Sequence, residues 1–388
     1  MLRLAPMPPP YAAPAAVRLD LTDDVAGPDP DGATAMLEEI HEQGAGVART
    51  LHGRVDRLGA VTPESVGLTQ EQIGDVSRLR ILGCGSSLHA GLAAQRAIER
   101  WARIPVAVED ASAFLHHGAT ADPSELVVAV SQSGETPDTL AAMRMASEAG
   151  APVLALTNTE DSPAAREGDG LLLTRAGDED GVAAARTFAA QSAALALLGL
   201  ALAGERHTLS PDGALRLAAH LRTLPRHLDE AVRACAPGAA ALAPTFADAE
   251  RFVVLGTDCG SATAAEGALA LEDLTGVPAH ACSPGGIEHD EAGLVDAGTI
   301  VVVCATQAPT AQKLDADVAT ARARGARVVA IVTEGDEHRF PVSTHVFAVP
   351  RTAWLMAPLV AAVPLQLLAH DVAAARDDDE RALHPAIA

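Results

Sequence analysis

Two apolar runs in this chain break abruptly into small and hydroxyl-bearing residues. Arg78-Leu-Arg-Ile-Leu leads into Gly83-Cys-Gly-Ser-Ser87, and Leu126-Val-Val-Ala-Val leads into Ser131-Gln-Ser-Gly-Glu-Thr136. Gly83 and Gly85 permit a tight turn and close backbone approach, while Ser86 and Ser87 place hydroxyls beside the free N–H groups of a helix start. Ser131, Gln132, Ser133 and Thr136 add a second set of neutral donors. Such donors suit a dianionic phosphate without any lysine. Neither loop is a Walker A motif, for no Gly-Lys-Ser/Thr follows, and neither is a Gly-x-Gly-x-x-Gly dinucleotide turn, so no cofactor is expected. Serines at these places also serve as plain helix caps, and that reading stands for either loop taken alone.

Elements of one kind must hold these loops. Arg80–Leu82, 105–109, Leu126–Val130, Pro152–Thr157 and Gly170–Leu173 read as short strands separated by helices. Continuous β-branched runs of this sort mark a parallel sheet covered on both faces, the α/β class. The pattern then repeats. Arg78-Leu-Arg-Ile-Leu-Gly returns as Arg251-Phe-Val-Val-Leu-Gly, Leu126-Val-Val-Ala-Val as Ile300-Val-Val-Val-Cys, and Ala151-Pro-Val-Leu-Ala-Leu-Thr as Ala326-Arg-Val-Val-Ala-Ile-Val. Three matches in order at a nearly constant offset imply two copies of one unit, joined by helices between about 186 and 242. The second copy's loop, Gly256-Thr-Asp-Cys-Gly-Ser-Ala262, carries an acid, and its partner strand ends in Cys304-Ala-Thr-Gln-Ala-Pro. Only the first copy is expected to cradle phosphate. Ahead of it, Thr34–Gln43 has the spacing of a short amphipathic helix, with another expected over 47–58.

Composition bounds the rest. A length of 388 residues suggests two domains, and a formal charge of −23 argues against nucleic acid. With nine aromatic residues, two Trp, one Tyr and six Phe, the core must be Ala, Leu and Val. Lysine occurs once, at Lys313. Cys84, Cys235, Cys259, Cys282 and Cys304 are odd in number and lack CxxC spacing, as reduced thiols of a cytoplasmic protein would be. The prolines of Met1–Ala16 preclude the apolar core of a signal peptide. The apolar stretches Ala189–Ala203 and Trp354–Ala369 are short of a membrane span and read as buried helices, so no membrane is expected.

The residues from about Met36 to Ala375 resemble the sugar isomerase (SIS) domain family, in particular the isomerase half of the glutamine–fructose-6-phosphate aminotransferases. Glu38-Glu-Ile-His-Glu-Gln43, both serine loops, Gly181-Val-Ala-Ala-Ala-Arg-Thr-Phe188, Glu266-Gly-Ala-Leu-Ala-Leu-Glu-Asp273 and Val363-Pro-Leu-Gln-Leu-Leu-Ala369 carry the likeness. It implies two tandem doubly wound, flavodoxin-like domains with a helical linker, a sugar phosphate as small-molecule partner, and a homodimer. Under it the chain divides into an extension at 1–32, a first SIS domain at 33–205, a linker at 206–245, a second SIS domain at 246–375 and a tail at 376–388. No glutaminase half is expected. The resemblance further implies phosphate contacts from Gly85, Ser86, Ser87, Ser131, Gln132, Ser133 and Thr136, and sugar contacts from Cys84, Val182 and Ala183. Asp273 stands where the family has its proton-transferring glutamate, and His289 matches its ring-opening histidine. The family's lysines are missing: one position is Ala270, and the other falls within Ala382–Ala388. No metal is expected.

Aldose–ketose interconversion needs a base to move a proton between C1 and C2, and an acid/base to open the ring. Asp273 and His289 are the candidates, with Glu266 seven residues before Asp273 on the same helix face; Glu272 and Glu288 are neighbouring carboxylates. An imine requires a lysine amine, which arginine cannot replace. Isomerisation through an enediol and deamination of an amino-sugar phosphate both remain open. So do a catalytically idle sugar-phosphate-binding regulator and an amino-sugar synthase subunit fed with ammonia by a partner.

Overall fold

The computed structural model describes residues 30–117, 121–177, 184–289, 293, 295–306, 312–340 and 345–383, with the side chains of 30–34, 289 and 377–383 outside that description. Its first sheet comprises β1 (Arg78–Gly83), β2 (Val106–Asp110), β3 (Glu125–Val130), β4 (Val153–Thr157) and β5 (Gly170–Leu173), in the order β2-β1-β3-β4-β5. The second comprises β6 (Arg251–Gly256), β7 (Ala279–Cys282), β8 (Thr299–Ala305), β9 (Arg327–Thr333) and β10 (His345–Val349), in the order β7-β6-β8-β9-β10. The orders are equivalent strand for strand, and every pairing is parallel. The internal repeat is therefore a duplicated doubly wound sheet. β7 (Ala279-His-Ala-Cys282) carries no continuous apolar run, and β10 carries a short one, Val346-Phe-Ala-Val349, at the sheet edge; neither is among the strands expected from the sequence.

The central strands are apolar along most of their length because both their faces are covered. In β3, Leu126, Val128 and Val130 enter one core while Val127 and Ala129 enter another. β8 does the same with Ile300 and Val302 on one side and Val301 and Val303 on the other. The inner faces of the two sheets share a single core, filled by helices between them. These are α1 (Pro30–Leu51), α3 (Ser86–Ala102), α7 (Ala185–Glu205), α8 (Pro211–Phe246), α9 (Gly260–Thr275) and α12 (Ala357–Leu383). The outer layers hold α4 (Ala111–His117), α5 (Pro137–Glu148) and α6 (Pro163–Glu167) on one sheet, and α10 (Gly286–His289) with α11 (Asp315–Ala323) on the other, while α2 (Gln70–Gly74) leads into β1.

Three expectations change. The two short helices placed before the first strand are one continuous helix, α1, which stops at Leu51; Leu58 is 78 % exposed, so nothing draws the chain back into a second turn. That helix begins at Pro30, inside the span assigned to a loose extension. At the other end α12 runs through to Leu383 rather than giving way to a tail after Ala375. The apolar stretches of α7 and α12 are helical and long enough to cross a membrane, yet their side chains are buried against the rest of the protein.

Candidate functional site

β1 and β3 are hydrogen-bonded neighbours, paired from Arg78↔Glu125 to Leu82↔Ala129, so their carboxyl ends finish side by side. β1 is followed by α3, which packs into the core between the sheets, and β3 by α5, which packs on the outer face. The chain thus leaves adjacent strand tips in opposite directions, opening the crevice where doubly wound sheets hold their ligands. The two serine loops flank that crevice.

Gly85 sits at φ +54°, a left-handed conformation that a side chain disfavours, and its position lets the backbone enter α3 directly. Gly134 is likewise left-handed, at φ +68°. A Cβ there would lie 2.2 Å from Ser162 Oγ. Ser131 is 3 % exposed; its hydroxyl accepts from the Gly134 N–H at 3.0 Å and shares a 2.9 Å hydrogen bond with the Thr136 hydroxyl. The Gln132 carbonyl accepts from the Thr157 hydroxyl and from the Asn158 N–H, both at 3.0 Å, which ties the loop to the tip of β4. Ser131 and Thr136 therefore build the loop, leaving other groups to meet a ligand.

Those groups are identifiable. The Ser86, Ser87 and Gln132 side chains bond to no described residue, and Ser133 Oγ accepts only from the Glu135 N–H at 3.2 Å, keeping its proton available. Simple helix capping fails as an account. The capping residues are Gly85 for α3 and Thr136 for α5, and neither makes a side-chain capping bond. Two helix starts without side-chain caps, with hydroxyls beside them, form an anion-compatible pair. Cys84 is half-buried at the same crevice; burial and then the Asp110 carboxylate push its thiol above the ordinary range.

Among the described residues the second copy shows no such cradle. Asp258 occupies its loop at φ +54° and extends towards Arg96 of α3, Oδ1 to Nε 3.6 Å. A carboxylate there repels an anion.

On α9, Glu266 is 3 % exposed and its Oε2 lies 2.8 Å from His89 Nδ1, one turn into α3 from Ser86. The pair joins the phosphate-loop helix of the first copy to the acid-bearing helix of the second. Sequence reading missed His89; its only signal is the one-turn spacing from Ser86. Asp273 lies on the exposed last turn of α9, and its carboxyl is raised above the usual aspartate range by partial burial, then by the charges of Glu272 and Glu266. Ala270, where the resemblance places a lysine, is buried. Lys313 lies exposed in the 3-10 turn Gln312–Leu314 before α11.

His289 ends α10, whose backbone is set by Asp317 of α11. The wholly buried Asp317 carboxylate accepts from the Gly285 N–H at 2.7 Å and the Ile287 N–H at 3.1 Å. The His289 side chain lies outside the described residues, as do Val182 and Ala183. Just beyond these two, the buried Arg186 of α7 pairs with Glu42 of α1, anchoring the end of their segment. Among the described residues no group of three or more His, Cys, Asp or Glu is placed to hold a metal ion.

Comparison with known proteins agrees with this geometry. The SIS domain model matches residues 72–201 and again 245–376. The glutamine–fructose-6-phosphate aminotransferase (isomerizing) of Mycobacterium tuberculosis is 40 % identical over 348 residues, covering 89 % of this chain and 55 % of that protein. This chain thus spans about half the length of the curated relatives it matches. The C-terminal domain of the glucosamine-fructose-6-phosphate aminotransferase from Francisella tularensis superposes with a TM-score of 0.84 at 28 % identity, covering 90 % of this chain and 98 % of that one. A glucosamine-6-phosphate deaminase from Thermotoga maritima shares the fold, with a TM-score of 0.64 at 20 % identity over 88 % and 95 % of the two chains.

Proposed function

Because this chain belongs to the SIS domain family, we propose that it binds a hexose or hexosamine 6-phosphate in its first copy and acts as an aldose–ketose isomerase or aminosugar-phosphate deaminase without lysine imine chemistry. The observation that carries this reading is the pair of helix starts without side-chain caps, α3 and α5, facing one crevice between β1 and β3. In it Gly85, Ser86, Ser87, Gln132 and Ser133 hold the phosphate, Ser131 and Thr136 shape their loop, and Cys84 with Val182 and Ala183 meets the sugar. The names of the relatives support a phosphorylated hexose as the ligand.

Asp273 is the proposed base. Its raised pKa suits a group that must take a proton from C2 and return it to C1, and Glu266 contributes to that shift through its charge. His289 is the proposed ring-opening acid/base. The buried Ala270 and exposed Lys313 direct the proton transfer through an enediol, with no amine to form an imine. The same two residues also favour a second reading, a sugar-phosphate-binding regulator that turns nothing over. A cytoplasmic homodimer is proposed with either, on the family's account, and is checked by sedimentation.

The test is turnover of fructose 6-phosphate and glucosamine 6-phosphate, with binding measured in parallel by calorimetry. Ser131→Ala with Ser133→Ala should weaken binding about a hundredfold or more, since the Ser133 contact to the phosphate is lost together with the loop shape that Ser131 maintains. Asp273→Asn should leave binding intact and slow turnover about 10²–10⁴-fold. Binding without turnover, unchanged by Asp273→Asn, selects the regulator. Affinity that survives the double serine variant refutes the cradle.

A further inference from the structure

Away from the serine loops, the end of α3, the first turns of α8 and the segment before α12 border an open cavity of about 680 Å³. Arg100, Arg103, Arg216 and His220 are exposed on its lining. In a chain of net charge −23, three guanidinium groups gather here without an ion pair to any described residue. The one acid on the lining, Glu99, is already engaged: its Oε2 accepts from Arg96 Nη1 at 2.9 Å and its Oε1 from the Val106 N–H at 3.4 Å. Cations gathered on one lining repel one another, and an anion placed among them relieves that repulsion.

A flat π surface lies beside this lining, next to Ala353. Trp354 is 44 % exposed, and the Arg100 guanidinium lies over its ring, 5.7 Å from carbon to centroid. An arginine so stacked extends the aromatic plate and keeps its N–H groups free for an anion. Leu209 and Leu217 supply an apolar wall. We propose that this cavity binds a nucleoside di- or triphosphate, the base lying against Trp354 and Arg100 and the phosphates between Arg103, Arg216 and His220. Volume, one plate and several cations suit a small ligand of that class. A sugar phosphate offers a single dianion and no π face, and the net charge of −23 disfavours a nucleic acid.

The experiment titrates the full chain with ADP, with pyrophosphate and with adenosine, followed by calorimetry and tryptophan fluorescence. The buried Trp101 lines the depression, Trp354 lies beside it under Arg100, and these are the protein's two tryptophans, so the signal reports this site. ADP should bind and change the emission, with pyrophosphate and adenosine each at least about tenfold weaker, because each lacks half of the contacts. Arg103→Ala with Arg216→Ala should cost ADP about tenfold or more, and Trp354→Ala a similar amount. Ser131→Ala with Ser133→Ala should leave ADP affinity unchanged, which separates this site from the phosphate cradle. The proposal is overturned by no ADP binding at millimolar concentration, by pyrophosphate binding as tightly as ADP, or by affinity that survives the double arginine variant. It is overturned equally by a nucleotide-free emission that shifts with protein concentration, the mark of a surface covered by a second copy of the chain.

Discussion

His89→Ala would cut the buried contact that joins the phosphate-loop helix to the acid-bearing helix. Glu266 is 3 % exposed and the His89 side chain 15 %, with 2.8 Å between them. Removing the imidazole leaves a carboxylate desolvated and without its partner. Breaking a buried pair in this way costs about 3–5 kcal/mol, and a hydrogen bond to a charged group is itself worth about 1.5–3 kcal/mol. Some water can reach the gap through the exposed edge of His89, so the lower part of the range applies, about 2–3 kcal/mol for His89→Ala. Glu266→Ala should cost a similar amount, and the double variant about 2 kcal/mol less than the sum of the singles, because the second change removes the group that the first stranded. Urea unfolding of the four proteins, with the slope required to stay constant, measures all of these. The binding assay is the companion readout: His89→Ala shifts α3 at its first turn and should weaken sugar-phosphate binding. A coupling below about 0.5 kcal/mol would refute the argument, for the two helices would then be held by apolar contact alone.

Further outcomes follow from single positions. Gly134→Ala puts a methyl 2.2 Å from Ser162 Oγ at a residue of φ +68°, and should cost about 2–4 kcal/mol from left-handed strain plus overpacking, read as a lower urea midpoint with weakened phosphate binding. Asp273 has a raised pKa in the folded chain, so the folded state holds that proton more tightly than the unfolded one does. The associated stability is present below the ordinary aspartate value of 3.8 and is lost as pH rises through the raised value. Asp273→Asn should therefore raise the melting temperature at pH 7, by about 1 °C because an exposed charge is screened, and leave it unchanged near pH 3; an equal gain at both pH values would reject the linkage. Burial pushes the Cys235 and Cys304 thiols up to about 12. A thiol-selective disulfide reagent at pH 8 should leave both unmodified until urea is added, and rapid native labelling of either would contradict their burial.

Local pattern determined much of this protein. Strands buried on both faces must be apolar along most of their length, so β1, β3, β4, β6, β8 and β9 are legible as Val- and Leu-rich runs, and the repeat follows from their order. The serine loops are legible for the same reason: a strand that ends in Gly and Ser has left the core and has donors to place. Edge strands escape this reading, since β7 buries only Ala279 and β10 only Phe347 and Val349, and neither run is long enough to stand out. Tertiary structure alone decided which tips are neighbours, and hence that both serine loops open on one crevice, because strand order is set by how helices pack across the sheets. It alone divided the labour among the hydroxyls, committing Ser131 to Thr136 and to the Gly134 N–H while leaving Ser86, Ser87 and Gln132 open. The His89–Glu266 contact and the cations around Trp354 belong to the same class. Each brings together groups far apart in the chain, and such meetings are fixed by the packing of whole helices rather than by any spacing along the sequence.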